Sequence, residues 1–137
     1  MMTQAQQQIL VVEDDQALTN FLKALLETSG YRVQTEGTGL GALRAVEHGH
    51  PHLVVLDLRL PDMSGYDVCK QLRQSFHPWA LPILMLTGMD RPADQLRGYA
   101  HGADAYLTKP CDPPELLHVV SLLLGEPQRQ QENEGSG

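Results

Sequence analysis

The chain alternates short apolar runs with longer stretches in which apolar residues recur at helical spacing. Three runs, at residues 9–12, 53–56 and 83–86, are wholly apolar, which is typical of strands buried on both faces of a sheet. The run at 31–35 alternates apolar and polar residues, and the run at 105–107 is short. These features predict five strands, with the three apolar runs at the centre and the other two at the edges.

A stretch with helical periodicity follows each predicted strand. Residues that favour the N-cap position, just before the first helical residue, precede four of these stretches: Asp15, Ser64, Asp90 and Asp112. The second helix is expected to span residues 38–46, with Gly49 as its stop signal. The strict alternation of strand and helix, with right-handed crossovers, predicts an α/β fold. It is a (βα)5 three-layer sandwich around a parallel five-stranded sheet of flavodoxin-like order 2-1-3-4-5.

Composition limits the classes of protein to which the chain can belong. The chain has 137 residues with 10 basic and 17 acidic side chains, a net charge of −7. This charge argues against direct nucleic-acid binding by the domain, and the apolar runs are too short to cross a membrane. The two cysteines, Cys69 and Cys111, are too few for a disulfide scaffold. We therefore expect a cytoplasmic protein.

Polar segments at both ends set the limits of the predicted domain. Residues 1–7 form a mostly polar lead without a basic residue, which is unlike a secretory signal. Residues 8–124 contain all the predicted elements and form one domain. Residues 125–137 have no apolar residue and are expected to be a disordered polar tail or a truncated linker.

Chemically active side chains follow the ends of the predicted strands. Glu13 and Asp14 follow the first strand, Asp57 ends the third, Thr87 ends the fourth and Lys109 follows the fifth. In an open α/β sheet, ligands bind at the carboxyl ends of the strands. We therefore expect carboxylates, a hydroxyl and an ammonium group to meet at one end of the sheet.

This combination of groups suits phosphoryl transfer. Clustered carboxylates raise one another's pKa unless a cation intervenes, and Mg²⁺ binds one or two carboxylates while leaving room for a phosphate oxygen. Ionised Asp57 is a competent nucleophile that needs no general base. Lys109 would act as a point charge on the phosphoryl oxygens, and Thr87 would donate a hydrogen bond to one of them.

At these residues the sequence resembles the receiver domains of bacterial response regulators. Four segments carry the resemblance, in order and each at a predicted strand end: ILVVEDD at 9–15, LDLRLPDMSG at 56–65, LTG at 86–88 and GADAYLTKP at 102–110. The resemblance spans about residues 8 to 124 and implies a two-component or phosphorelay signalling switch. Such a switch is not an enzyme, apart from catalysing its own phosphoryl transfer and slow self-dephosphorylation.

The resemblance also implies a role for each site residue. Asp57 accepts a phosphoryl group from a histidine kinase or a histidine phosphotransfer protein, and Lys109 pairs with that group. Asp14 binds Mg²⁺, or Mn²⁺ in its place, directly, while Glu13 acts through water. Asp57 and the backbone carbonyl of Arg59 complete the metal site.

A conformational change is implied as well. Thr87 moves toward the phosphoryl group, Tyr106 swings inward, and the bond between Lys109 and Pro110 is cis. The surface made by the fourth helix, fifth strand and fifth helix then changes, and it signals to an output domain, an effector or a second copy in a homodimer. The last helix lacks the arginine of the transcription-factor subfamily that dimerises there, so that particular dimer is not predicted.

Three other functions compete with this one. A phosphatase of the haloacid-dehalogenase type needs a second aspartate two residues after the nucleophile, where this chain has Arg59. A flavodoxin-like FMN carrier needs a phosphate loop rich in Ser, Thr and Gly, whereas residues 13–15 are all acidic. An interaction module that works without phosphorylation stays open as an alternative.

Several other residues are better explained by structure than by function. His48, His50 and His52 fall across a helix end and a strand start, so a loop is favoured over a metal site. Cys111 is expected to be a packed, inert thiol and not a redox sensor. Trp79 is expected to anchor the connection in which it lies.

Overall fold

The computed structural model describes residues 6–76 and 80–125. Within these ranges, five strands alternate with five helices. The strands are β1 (Gln8–Val12), β2 (Arg32–Glu36), β3 (Leu53–Leu56), β4 (Ile83–Thr87) and β5 (Ala105–Thr108). The helices are α1 (Gln16–Thr28), α2 (Gly39–Gly49), α3 (Gly65–Ser75), α4 (Pro92–Ala100) and α5 (Pro113–Leu123). Residues 1–5 and 126–137, to which the predictions of a polar lead and a tail apply, lie outside the described part, as does Trp79.

The five strands form one parallel sheet of order β2-β1-β3-β4-β5. This confirms the predicted flavodoxin-like order and the α/β fold class. The wholly apolar runs are the three central strands, and the alternating and short runs are the edges. Strand composition predicted the order because a central strand is covered by helices on both faces, whereas an edge strand stays partly exposed.

Apolar side chains form one core on each face of the sheet. The core that includes Leu10 and Val54 also contains side chains of α2 and α3, whereas the core that includes Ile9 and Val55 contains side chains of α1 and α5. Neighbouring residues belong to opposite cores because successive side chains of a strand point to opposite faces. Among the described residues, no helix is long and apolar enough to cross a membrane.

Two of the four predicted N-cap residues make the expected side-chain hydrogen bonds. Asp15 accepts a hydrogen bond from the backbone N–H of Leu18 at 3.1 Å, and Ser64 accepts one from Tyr66 at 3.0 Å. Asp112 occupies the N-cap position of α5 without a side-chain cap bond. These caps satisfy N–H groups that the first turn of a helix leaves free.

The start of α4 and the end of α2 differ from the predictions. Asp90 does not cap α4, because Arg91 occupies that position and Asp94 accepts the Arg91 backbone N–H at 3.2 Å. Pro92 is favoured at the first helical position, which fixes the start one residue later. Gly49 is the last residue of α2, and His50 adopts the left-handed conformation that ends the helix, with φ of 50°.

The loop of residues 57–64, here called the acceptor loop, leaves β3 and folds back tightly to α3. Arg59 and Ser64 form an isolated antiparallel bridge, and the N–H of Gly65 donates to the Leu58 carbonyl at 2.8 Å. A Cβ on Gly65 would lie 2.3 Å from the backbone oxygen of Asp57. Only glycine therefore allows this close approach of backbone to backbone.

We expect Gly65→Ala to destabilise the protein by about 1–3 kcal/mol, because the added methyl group must displace backbone. Urea unfolding followed by circular dichroism measures this loss. Gly88→Ala is the matched control, since a Cβ there would meet nothing within 4 Å. Equal stability of the two variants would contradict the close approach at Gly65.

Candidate functional site

Charged side chains from three strand ends meet at the carboxyl edge of the sheet. The Lys109 ammonium donates to Glu13 Oε1 at 2.7 Å and to Asp57 Oδ2 at 3.2 Å. The other oxygens of these carboxylates accept backbone hydrogen bonds, Glu13 from Asp15 at 3.0 Å and Asp57 from Leu58 at 2.7 Å. Both carboxylates are buried, so their positions are fixed by contacts on two sides.

The carboxylates of Glu13, Asp14 and Asp57 fit a small divalent cation. One oxygen from each lies within 4.8 Å of the others, and Asp14 is exposed while the other two are buried. Such a set of hard oxygen donors, open on one side, is typical of Mg²⁺ sites that keep water ligands. In the described part of the chain, this is the one cluster of three potential metal ligands.

A cavity of about 270 Å³ adjoins this acidic cluster. Its lining combines a carboxylate, two cationic side chains, a hydroxyl and a glycine, contributed by Asp57, Arg59, Lys109, Thr87 and Gly88. Cationic and hydroxyl groups stabilise phosphate oxygens, and a carboxylate among them can attack phosphorus. The cavity is therefore suited to a small tetrahedral anion that reacts at Asp57.

Burial and ion pairing shift the pKa values of the cluster in opposite directions. Burial raises the pKa of the Glu13 carboxyl above its ordinary value, although the hydrogen bond from Lys109 partly offsets this. Burial alone would lower the pKa of the Lys109 ammonium, but the hydrogen bonds and charges of Glu13 and Asp57 outweigh it and raise that pKa. Lys109 is thus held in its charged form by its two acidic neighbours.

Thr87 and Tyr106, the predicted switch residues, both bond to the backbone of Met89, between β4 and α4. The Met89 N–H donates to Thr87 Oγ1 at a long 3.4 Å, and the Tyr106 hydroxyl donates to the Met89 carbonyl at 2.6 Å. Tyr106 is buried, which raises the pKa of its hydroxyl to about 12. The bond between Lys109 and Pro110 is cis.

The histidines and Cys111 have structural contacts. His52 Nδ1 accepts the backbone N–H of Gln8 at 2.9 Å, and His48 Nδ1 pairs with the carbonyl of Arg44 at 2.9 Å. No set of metal-ligand atoms containing these histidines comes together within residues 6–76 and 80–125. Burial raises the pKa of the Cys111 thiol, which favours its unreactive form.

Sequence reasoning missed two residues next to the site. Asp62 accepts hydrogen bonds from the first two N–H groups of α2, a contact between segments more than 20 residues apart that no local pattern signals. Gly98 lies in the middle of α4, where a Cβ would approach the Tyr106 ring at 2.9 Å. An isolated glycine inside a helix was a usable signal of such close packing.

Known proteins resemble this chain in sequence. The family model of the response regulator receiver domain matches residues 9–121. The alkaline phosphatase synthesis transcriptional regulatory protein PhoP of Bacillus subtilis is 45% identical over 116 residues, which cover 85% of this chain and 48% of PhoP. The phosphate regulon transcriptional regulatory protein PhoB of Rhizobium meliloti is 40% identical, over 85% of this chain and 51% of PhoB. The chain thus spans about half the length of these relatives.

Solved structures resemble it in fold. A CheY-like response regulator receiver domain protein from Methanospirillum hungatei superposes with a TM-score of 0.82 at 30% identity, covering 97% of this chain and 100% of that one. The BeF3-activated N-terminal receiver domain of Klebsiella pneumoniae RstA gives a TM-score of 0.81 at 31% identity, covering 85% of this chain and 97% of that one.

We expect Lys109→Met to raise the pKa of the Glu13 carboxyl further, because it removes the cation that offsets the burial of Glu13. A carboxyl group whose pKa is raised on folding favours the folded state at low pH. The variant should therefore lose stability, relative to the parent, as the pH rises through the raised pKa of Glu13. Carbon-13 NMR titration without divalent cations measures that pKa.

Lys23→Met is the control, since Lys23 pairs with Glu27 on the exposed side of α1 and does not contact Glu13. An unchanged or lower pKa of Glu13 in Lys109→Met would contradict the electrostatic description of the cluster.

Proposed function

This chain belongs to the response regulator receiver domain family, and we propose that it is a phosphorylation switch whose acceptor is Asp57. One observation carries the proposal. Asp57 is a buried carboxylate that contacts the Lys109 ammonium and lines a cavity with Thr87 and Arg59. A carboxylate in that setting is a nucleophile surrounded by groups that stabilise a phosphoryl anion.

The proposed reaction transfers a phosphoryl group from a phosphohistidine of a histidine kinase or a phosphotransfer protein. A carboxylate oxygen of Asp57 forms the new bond to phosphorus, and the bond from phosphorus to the histidine nitrogen breaks. The imidazole leaves with that electron pair and takes a proton from solvent. Lys109 supplies positive charge to the phosphoryl oxygens, and Thr87 donates a hydrogen bond to one of them.

The same proposal assigns the metal ligands. Asp14, Asp57 and the backbone carbonyl of Arg59 would hold Mg²⁺ directly, or Mn²⁺ in its place, with Glu13 acting through water. When bound, the ion would neutralise charge on the transferring group. The carboxylate cluster supports this assignment because its oxygen donors suit a hard cation.

The switch itself is proposed to work through α4. Two tyrosine hydroxyls donate to backbone carbonyls at this helix and just before it, Tyr106 to Met89 at 2.6 Å and Tyr66 to Asp94 at 3.1 Å. Movement of the Thr87 side chain toward a phosphoryl oxygen would lengthen its weak contact with the Met89 N–H, which is already 3.4 Å. That change would shift the balance between two packings of the loop before α4.

The output surface would be the one formed by α4, β5 and α5. It exposes apolar side chains on both helices, namely Leu96, Tyr99 and Leu122. PhoP and PhoB are named as transcriptional regulators, and the segment matched by this chain is about half of each. We infer that the surface signals in the cytoplasm to an output domain in a longer protein, to a separate effector or to a second copy in a homodimer.

Incubation with acetyl phosphate and Mg²⁺ tests the acceptor. We expect intact-protein mass spectrometry to show one added phosphoryl group that alkali removes, and Asp57→Asn to abolish it because an amide is not a nucleophile. Asp15→Asn, a neighbouring carboxylate that caps α1, should be labelled like the parent. Undiminished labelling of Asp57→Asn would reject Asp57 as the acceptor, and an unlabelled parent would favour the module that works without phosphorylation.

Gly98→Ala tests the packing of Tyr106 against α4. A Cβ at Gly98 would lie 2.9 and 3.0 Å from two ring carbons of Tyr106 and 3.1 Å from Met85 Sδ, so we expect the ring to be pushed toward solvent. The pKa of the Tyr106 hydroxyl should then fall from about 12 toward its ordinary value near 10. Phenolate absorbance measures this, with Tyr106→Phe in each background to isolate the signal. An unchanged Tyr106 titration would contradict this description of the contact.

A further inference from the structure

The tip of the acceptor loop is fastened to the first turn of α2 by one carboxylate. Asp62 Oδ1 accepts the backbone N–H of Gly39 at 2.7 Å, and Oδ2 accepts that of Leu40 at 2.9 Å. These two bonds lower the pKa of the Asp62 carboxyl, so the contact is made by the charged form at neutral pH. The carboxylate also lies at the helix end where the partial charge of the backbone is positive.

Asp62 and the residue that caps α2 share the free N–H groups of this helix start. Thr38 occupies the N-cap position and accepts from Gly41 at 2.9 Å, which leaves Gly39 and Leu40 to Asp62. A helix start normally satisfies these groups with water or with a nearby side chain. Here the partner comes from the acceptor loop, so α2 and that loop are joined.

Shape complementarity reinforces the contact. A Cβ on Gly39 would lie 2.3 Å from Met63 Cγ and 2.7 Å from Met63 Sδ. The absence of a side chain at Gly39 thus lets Met63 lie directly against the helix. Two adjacent loop residues, one polar and one apolar, therefore fix the tip of the loop against α2.

The base of the loop is closed as well, so Arg59 and the tip are parts of one compact loop. The Arg59–Ser64 bridge and the bond from Gly65 to the Leu58 carbonyl hold the two arms together. Asp62 lies between these arms and only three residues after Arg59. Because Arg59 and the tip belong to one short closed loop, we expect a displaced tip to shift the backbone carbonyl and side chain of Arg59 beside Asp57.

We propose that Asp62 is a positioning residue, which holds the acceptor loop against α2 so that Arg59 stays in place for Mg²⁺ and for the phosphoryl group. This inference rests on the proposed function, and it adds to it a residue that touches neither the metal nor the acceptor. Outer-sphere residues that orient metal ligands typically affect metal affinity about 10–100-fold. A mere cap of α2 would affect helix stability and leave metal affinity unchanged.

Isothermal titration of the purified chain with Mg²⁺ alone tests the proposal. We expect Asp62→Ala to raise the dissociation constant for Mg²⁺ about 10-fold. The rate of labelling by acetyl phosphate should fall at low Mg²⁺ and return to the parent rate at saturating Mg²⁺, because the nucleophile is intact. Asp62→Asn keeps one acceptor oxygen and should show a smaller effect.

Two further variants separate positioning from a change in charge. Asp67→Asn removes the same charge from the first turn of α3, where Asp67 is exposed, and should leave the dissociation constant within about twofold of the parent, since a single exposed charge acts weakly. Gly39→Ala leaves the charge unchanged but pushes Met63 and the loop tip away, and it should weaken Mg²⁺ binding like Asp62→Ala.

The outcomes distinguish failure of the positioning role of Asp62 from failure of the proposed phosphorylation switch. If Asp62→Ala and Gly39→Ala bind Mg²⁺ as the parent does, or if Asp67→Asn weakens binding as much as Asp62→Ala, the positioning role is wrong while the phosphorylation switch stands. If the parent chain neither binds Mg²⁺ nor is labelled by acetyl phosphate, the proposed function fails and the role of Asp62 fails with it.

Discussion

The site depends on the attraction between one partly buried ammonium group and two buried carboxylates. Glu13 and Asp57 end neighbouring strands of a parallel sheet, so their negative charges are brought together by the fold. Lys109 compensates for this repulsion by bonding to both. Because the three groups come from β1, β3 and β5, the interaction also joins the centre of the sheet to its edge.

The same arrangement explains why the cluster suits a metal and a phosphoryl group. Glu13, Asp14 and Asp57 carry more negative charge than a single lysine balances, and Asp14 stays open to solvent. A divalent cation relieves the remaining repulsion. A tetrahedral anion would in turn be attracted by the cation and by Lys109, which is the electrostatic basis of the function proposed for this receiver domain.

Much of the fold followed from local properties of the sequence. The burial of the central strands required apolar residues at positions 9–12, 53–56 and 83–86, and the residues after each strand had to meet at one edge, so both order and site were predictable. Contacts between residues that are distant in the sequence and do not follow a strand were not predictable. Nothing near Asp62 in the sequence signals its bonds to α2, and Asp90 was wrongly chosen as a cap because Pro92 and Asp94 together favour a start one residue later.

Two helices are therefore connected to the site in different ways, α2 through Asp62 of the acceptor loop and α4 through Tyr106 and the loop that follows Thr87. We propose that Asp57 accepts a tetrahedral group only when a divalent ion is bound by the acidic cluster. Fluorine-19 NMR with beryllofluoride, which binds carboxylates as a phosphoryl mimic, tests it directly. We expect bound resonances that require Mg²⁺ and vanish in Asp57→Asn. Bound resonances without Mg²⁺, or their persistence in Asp57→Asn, would contradict it.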